Sequence, residues 1–385
     1  MNPKNPAPTR MQSNVRASAL LGLAVLLFPA CGVGDTTSLP ADPRVMLEAH
    51  ISHGIGDSPF DSPLVHDSIA AEMIVRAREC APADRLRALH PDSAEGVRLL
   101  ERLQSDGLVV MREDRVCTTF PVLLNDARGR YATITSDVAE EATRQLTEDL
   151  AAVTGLVQER GWIDWQYHFV WSQLFDSQFA WTEMMQRGLV PPLGRLIAWV
   201  VYPAHALRSG TNYYPDTELR DHWLMVTWRA DAANTVGLVG SSWEAIYQAA
   251  LRGGTLTTAE RARLAELGLV DATGRLQVPV LRNGDGLHGV LQAVAGRYIA
   301  FLERRMPLED LVALSGVDRQ HTFAMAYHDI SWGVIDRLIG SGRIGVPPAM
   351  EPGTKRAQPS MRGVTALTPV YSPFADLIRA AIEAR

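Results

Sequence analysis

Two stretches of the chain are written almost alike, and they limit what it can fold into more than any other feature. Gly107, Leu108 and Val109 lead through a short charged loop to Phe120, Pro121, Val122 and Leu123. Gly268, Leu269 and Val270 lead through a shorter loop containing Gly274 to Val278, Pro279, Val280 and Leu281. A strand, a tight polar turn and a returning strand account for each copy. Two such hairpins predict two equivalent halves, and 385 residues exceed what one hydrophobic core usually holds.

The segments ahead of both hairpins have helical periodicity. From His66 to Glu79, Ile69, Met73 and Ala77 recur on one face with Ile74 beside them. A short helix follows Pro82 through Leu86 and Leu89. After Pro91, Asp92 is placed as an N-cap, and Glu95 stands where it can bond back to the cap. Val97, Leu100 and Leu103 then form a stripe that ends at Gly107. In the second half, Ser242 to Leu251 supplies one helix, and Thr257 with Glu260, Leu264 and Leu267 repeats the cap and the stripe before Gly268.

Helices followed by a hairpin, over residues 66–123 and in shorter form before residue 281, resemble the winged helix-turn-helix domains of bacterial regulators such as the MarR-like families. The resemblance implies a mainly α (α+β) fold, with two winged-helix-like halves, each with a small β-hairpin, around a helical core. It also implies DNA binding by the helix before the wing, which needs Arg or Lys with Asn or Gln on its exposed face. Here Arg98 and Arg102 are opposed by Asp92, Glu95, Glu101 and Asp106, and Arg261 and Arg263 by Glu260 and Glu266. Nucleic acid is therefore not an expected partner, and the winged helix is expected to serve as a packing module.

The N-terminus carries the clearest functional signal. Lys4, Arg10 and Arg16 precede an uncharged apolar run from Ala17 to Phe28, followed by Pro29, Ala30 and Cys31. A basic region, an apolar region of about a dozen residues and a small residue before the cut describe an export signal, because a spanning helix needs about 20 residues. The Cys at the cut resembles the lipobox of bacterial lipoproteins, with Phe28 where that family usually has Leu, and the resemblance implies lipid attachment at Cys31. Met11 offers an alternative start. Gly32 to Pro43 is rich in Gly, Ser, Thr and Pro and lacks periodicity, as a tether does.

Export changes two quantities. Three cations and no acid leave with residues 1–31, so the formal charge moves from −6 to −9, the opposite of a nucleic-acid footprint. With Cys31 lipidated, Cys80 and Cys117 remain, and these form one disulfide or are two buried thiols. The expected organisation is a signal peptide over 1–31, a tether and irregular lead-in over 32–63, a first half over 64–200, a second half over 201–348, and a linker with a terminal helix over 349–385.

Between the hairpins, Thr135 to Gln158 reads as a helix with Val138, Ala142, Leu146 and Leu150 as its stripe. Eight aromatic residues then fall between Trp162 and Trp181 on more than one face, which predicts a central core helix buried on most sides. The functional alternative is an aromatic wall for a flat ligand, in which Trp165 and Trp171 join Tyr213 and Trp223.

No nucleophile elbow, phosphate-cradling loop, His-Glu-x-x-His or Cys-x-x-Cys is present, and no cofactor is expected. The best candidate for chemistry is the polar stretch from Tyr202 to Trp228, in which His205, Arg208, Asp221 and His222 are the groups that bind anions or polarise a substrate. His66-Asp67 and His328-Asp329 resemble the metal-binding pair of HD-type phosphohydrolases. His321 stands two helical turns from His328, but the further ligands of that family have no assignable counterparts, so no metal is expected.

These features point to a non-catalytic bacterial envelope lipoprotein, held to the membrane by its lipid, facing the periplasm or exterior, and binding a small ligand or a protein. The alternatives are a hydrolase-type enzyme using His205, Arg208, Asp221 and His222, and a cytoplasmic winged-helix DNA-binding regulator.

Overall fold

The computed structural model describes residues 42–47, 50–53, 62–176, 178–192, 197–202, 210–214, 222–228, 242–267, 269–282, 284–346, 363–369, 374–376 and 380. Helix dominates, and the strands form small sheets. The lead-in is more ordered than its composition predicts, since it holds helix α1 (Pro43–Leu47) and strand β1 (His50–His53).

Ser62 then caps a 3-10 turn, and the Asp67 carboxylate accepts from the Ile69 and Ala70 N–H groups to start α2 (Ser68–Ala77). Strand β2 (Ala81–Pro82) and α3 (Ala83–Arg87) follow, and Asp92 caps α4 (Ser93–Ser105). Glu95 does not close the expected capping box. It pairs with Arg98 at 2.6 Å, while the Asp92 N–H donates to His90 Nδ1 at 3.0 Å. Strands β3 (Val109–Arg112) and β4 (Arg115–Thr118) form an antiparallel hairpin, and β2 adds to β4, giving the sheet order β2-β4-β3. A disulfide joins Cys80, in the turn after α2, to Cys117 in β4.

The hairpin closes earlier than the sequence predicts. β4 is the returning strand, whereas β5 (Val122–Leu124) leaves the unit and pairs in parallel with β6 (Ile197–Tyr202). Pro121 has no N–H to offer a hairpin ladder, and its carbonyl instead accepts from Val200 N at 2.9 Å. All three residues of β5 are buried, as a short apolar run in a parallel pairing should be. β1 covers the other side of β6, which runs across the boundary expected at residue 200.

Helix α5 (Asn125–Glu159) begins directly after β5, ten residues before the predicted start, and buries Tyr131, Val138, Ala142, Leu146, Leu150, Val153 and Val157. The aromatic stretch is not the single helix expected. It breaks into a 3-10 turn (Ile163–Trp165), one α turn (Gln166–His168), a π-helix (Phe169–Phe175) and α6 (Gln178–Gln186). Every residue of the π-helix is buried, so no side had to be kept for solvent and the wider turn could form without exposing an apolar face.

The polar stretch after β6 also differs from expectation. Rather than a loop throughout, it holds β7 (Gly210–Tyr214) and β8 (His222–Trp228), and the presumed C-terminal linker region contributes β9 (Gly363–Pro369), in the order β7-β8-β9. Helices α7 (Trp243–Leu251) and α8 (Thr258–Glu266) precede a small bridge between Val270 and Leu276. Here Thr257 and Glu260 do close a reciprocal capping box. The remaining helices are α9 (Gly286–Arg305), α10 (Leu308–Ser315) and α11 (Arg319–Gly340).

Three apolar clusters result. The largest joins α5, the π-helix, α6, α9 and α11, and a smaller one gathers α1 and the unit of α2 to β4 with Val122 and Leu124 of β5 and Val200 of β6. The third sets Leu224 and Val226 of β8 against Ile246, Leu264 and Leu269. Gly333 brings α11 so close to α5 that an added Cβ would lie 2.9 Å from the Ala139 Cβ. Asp149 pairs with Arg297 at 2.6 Å and Glu141 with Arg305 at 2.9 Å, bracing α5 against α9. Among the described residues, no helix is long and apolar enough to cross a membrane.

Candidate functional site

The densest polar chemistry lies inside the main core, where the π-helix meets β7 and β8. Burial drives the His168 pKa down to about 3, so the imidazole is neutral. Gln173 Nε2 donates to His168 Nε2 at 3.3 Å, which leaves Nδ1 to donate to Thr227 Oγ1 at 2.6 Å. Thr227 in turn hydrogen-bonds Ser172, whose hydroxyl reaches Thr211 Oγ1 at 2.8 Å. With Nδ1 as the donor, the imidazole turns no lone pair toward Thr227 or Ser172. A serine nucleophile needs the reverse, an imidazole lone pair facing the serine hydroxyl and able to take its proton near neutrality. The chain instead satisfies buried polar groups and fastens the π-helix to β7 and β8.

A second buried group surrounds His328 on α11. Its Nδ1 donates to the Ala324 carbonyl at 2.9 Å, and its Nε2 lies 3.7 Å from Asp176 Oδ1. The rings of Trp199, Tyr327, Trp181 and Trp332 surround it at centroid distances of 5.2, 5.2, 5.7 and 6.1 Å. Both imidazole nitrogens thus face protein groups inside the core, an orientation suited to holding α11 against the π-helix.

The residues singled out from sequence separate into several environments. Trp171 is 1% exposed, stacked on Trp332, and part of the main core. Trp223 is 5% exposed and packs edge-on against Phe374. Trp165 is half-buried against the main core, and Tyr213 pairs in β7 with Met225. His222 bonds through Nε2 to the Leu281 carbonyl at 2.8 Å, which ties β8 to the segment after the second hairpin. His205, Arg208, Asp221 and Cys31 lie outside the described residues.

His321, His328 and Asp329 do not converge. His321 Nδ1 meets Asp318 at 2.7 Å, His328 faces Asp176, and Asp329 accepts from the Tyr131 hydroxyl at 2.5 Å. Burial and the Asp329 carboxylate hold the Tyr131 hydroxyl well above its ordinary pKa. Among the described residues, no group of three or more His, Cys, Asp or Glu side chains is arranged to hold a metal.

Sequence reasoning missed one feature altogether. Where α9 ends and α10 and α11 begin, a cavity of about 390 Å³ opens between helices. Its lining is mixed: buried Leu302, Met306 and Phe323 stand behind exposed Glu303, Glu309, Asp310 and Arg319. Arg319 pairs with Glu309, and Glu303 pairs with Arg187 at 3.0 Å. Asp310 makes no ion pair among the described residues. No motif announces this site, because its lining comes from the ends of three helices and from Leu189 after α6, which only the fold brings together.

Compared with known proteins, the chain matches no family model, no curated protein and no solved structure.

Proposed function

We propose that the protein is an exported, lipid-anchored and non-catalytic binding protein of the bacterial envelope, in which residues 62–118 form a winged-helix-like packing module. The observation that carries the export half of this reading is the Cys80–Cys117 disulfide, a crosslink that persists in oxidising compartments and is rare in the cytosol. The signal-like segment ending at Cys31 and the acidic balance of the remaining chain agree with it. The order α2, β2, α3, α4, β3, β4, with β2 joined to β4, supports the winged-helix assignment. On α4 the Arg98 guanidinium is already engaged by Glu95, which leaves little positive charge for phosphates.

Mass spectrometry of the protein purified from membranes tests this reading. The expected species begins at a lipid-modified Cys31 and resists thiol alkylation until reduced. An unmodified chain starting at Met1 or Met11, with both remaining cysteines alkylated, would overturn it.

A further inference from the structure

We propose that the seam between the π-helix, α6 and α11 is a binding site for internal water, held by the Trp171 and Trp332 indole N–H groups and the Thr182 hydroxyl. Such a site is independent of export and of lipid attachment. Trp171, Thr182 and Trp332 are each at most 3% exposed, and Trp171 Nε1, Thr182 Oγ1 and Trp332 Nε1 have no hydrogen-bond partner among the described residues. A buried donor left dry forfeits the hydrogen bond it makes to water in the unfolded chain, and native cores avoid that loss. The three groups belong to one region of the core. Trp171 stacks on Trp332, and the rings of Trp332 and of Trp181, the neighbour of Thr182, both lie within 6.1 Å of the His328 ring.

Thr182 differs from the helical threonines of α5. Thr133, Thr135, Thr143, Thr147 and Thr154 each donate to the carbonyl four residues back. The Gln178 carbonyl stands four residues before Thr182 on α6, yet the Thr182 hydroxyl does not take it. Donor and acceptor chemistry then selects the occupant. An indole N–H only donates, so whatever meets Trp171 and Trp332 must accept. The Asp176 carboxylate accepts, so whatever lies beside it must donate, and its Oδ1 stands 3.7 Å from His328 Nε2, longer than a hydrogen bond and a separation at which water mediates. A metal cation would serve Asp176 but not the indoles, and an anion would serve the indoles against the charge of Asp176. Water both donates and accepts, as buried waters do among otherwise unsatisfied groups.

Water-selective NOE and ROE spectra of the purified full-length protein test the site, with the indole signals assigned through Trp171→Phe and Trp332→Phe. The Hε1 proton of each indole should show a cross-peak to water with NOE and ROE of opposite sign, the signature of bound water as against proton exchange. Thr182→Val keeps the side-chain shape and removes the hydroxyl. Where that hydroxyl is hydrated, the variant should melt about 2 °C below the parent chain. A dry seam gives the reverse, because replacing an unsatisfied hydroxyl by a methyl leaves the melting temperature unchanged or raises it. A missing water cross-peak at either indole, or a Thr182→Val melting temperature at or above that of the parent chain, would overturn the proposal.

Discussion

Burial keeps the His168 imidazole uncharged down to about pH 3, whereas in the unfolded chain it takes up a proton near its ordinary value of 6.5. Between those values the unfolded state binds the extra proton, so stability rises with pH in this window and is lost as the pH falls through it. The slope from one such group is at most about 1.4 kcal/mol per pH unit. His168→Gln should flatten the acid limb by up to that amount between about pH 4 and pH 6, read from urea unfolding at stepped pH. An unchanged slope would mean that the native imidazole is protonated after all. Burial also lowers the His288 pKa, so the slope should fall without vanishing. A histidine was visible at this position, but its neutrality was not, because desolvation depends on walls supplied by β8, some 59 residues further along the chain.

At the scale of elements, close approach decides what a glycine is for. Gly96 lies in α4 where an added Cβ would sit 2.3 Å from the Arg87 carbonyl oxygen at the end of α3. Backbone cannot swing aside as a flexible side chain can, so Gly96→Ala should destabilise by about 1–3 kcal/mol despite a helix-propensity gain of about 1 kcal/mol. Gly129 in α5 has nothing within 4 Å of the same construction. There Ala should stabilise by about 0.4–1 kcal/mol. Thermal unfolding of both variants distinguishes steric necessity from tolerance, and a shared sign would refute the close packing of α3 on α4. Much of this level was legible beforehand. Asp92 and Thr257 were recognisable as caps, and the stripe from Val138 to Leu150 as a buried face, because both signals lie within a few residues of the groups they serve. Glu95 was misjudged because a nearby partner on its own helix, Arg98, competed for the carboxylate.

For the whole molecule, the C-terminal segment is part of the architecture. β9 pairs with the full length of β8, and Phe374 lies 6% exposed with its ring 5.6 Å from that of Trp223. Phe374→Ala should cost about 3 kcal/mol, the lower end for a buried Phe because a terminal segment can relax, and should lower the melting temperature by several degrees. A melting temperature equal to that of the parent chain would show that the segment contributes nothing to the core.

The sequence by itself determined the local features: the helix caps at Asp92 and Thr257, apolar faces, the two polar turns, the acidic balance and the signal-like N-terminus. These rest on neighbours within one or two turns, or on composition alone. Tertiary structure decided the partners. It sent Val122 to Leu124 away from the first hairpin to a parallel strand at Val200 to Tyr202, turned a presumed linker into β9, and opened the aromatic stretch into a π-helix. It also gathered Leu302, Asp310 and Phe323 around one cavity. The physical reason is common to all of these. Strand pairing, desolvation and cavity walls depend on groups distant in sequence, and a single chain's local pattern does not record which distant group it will meet.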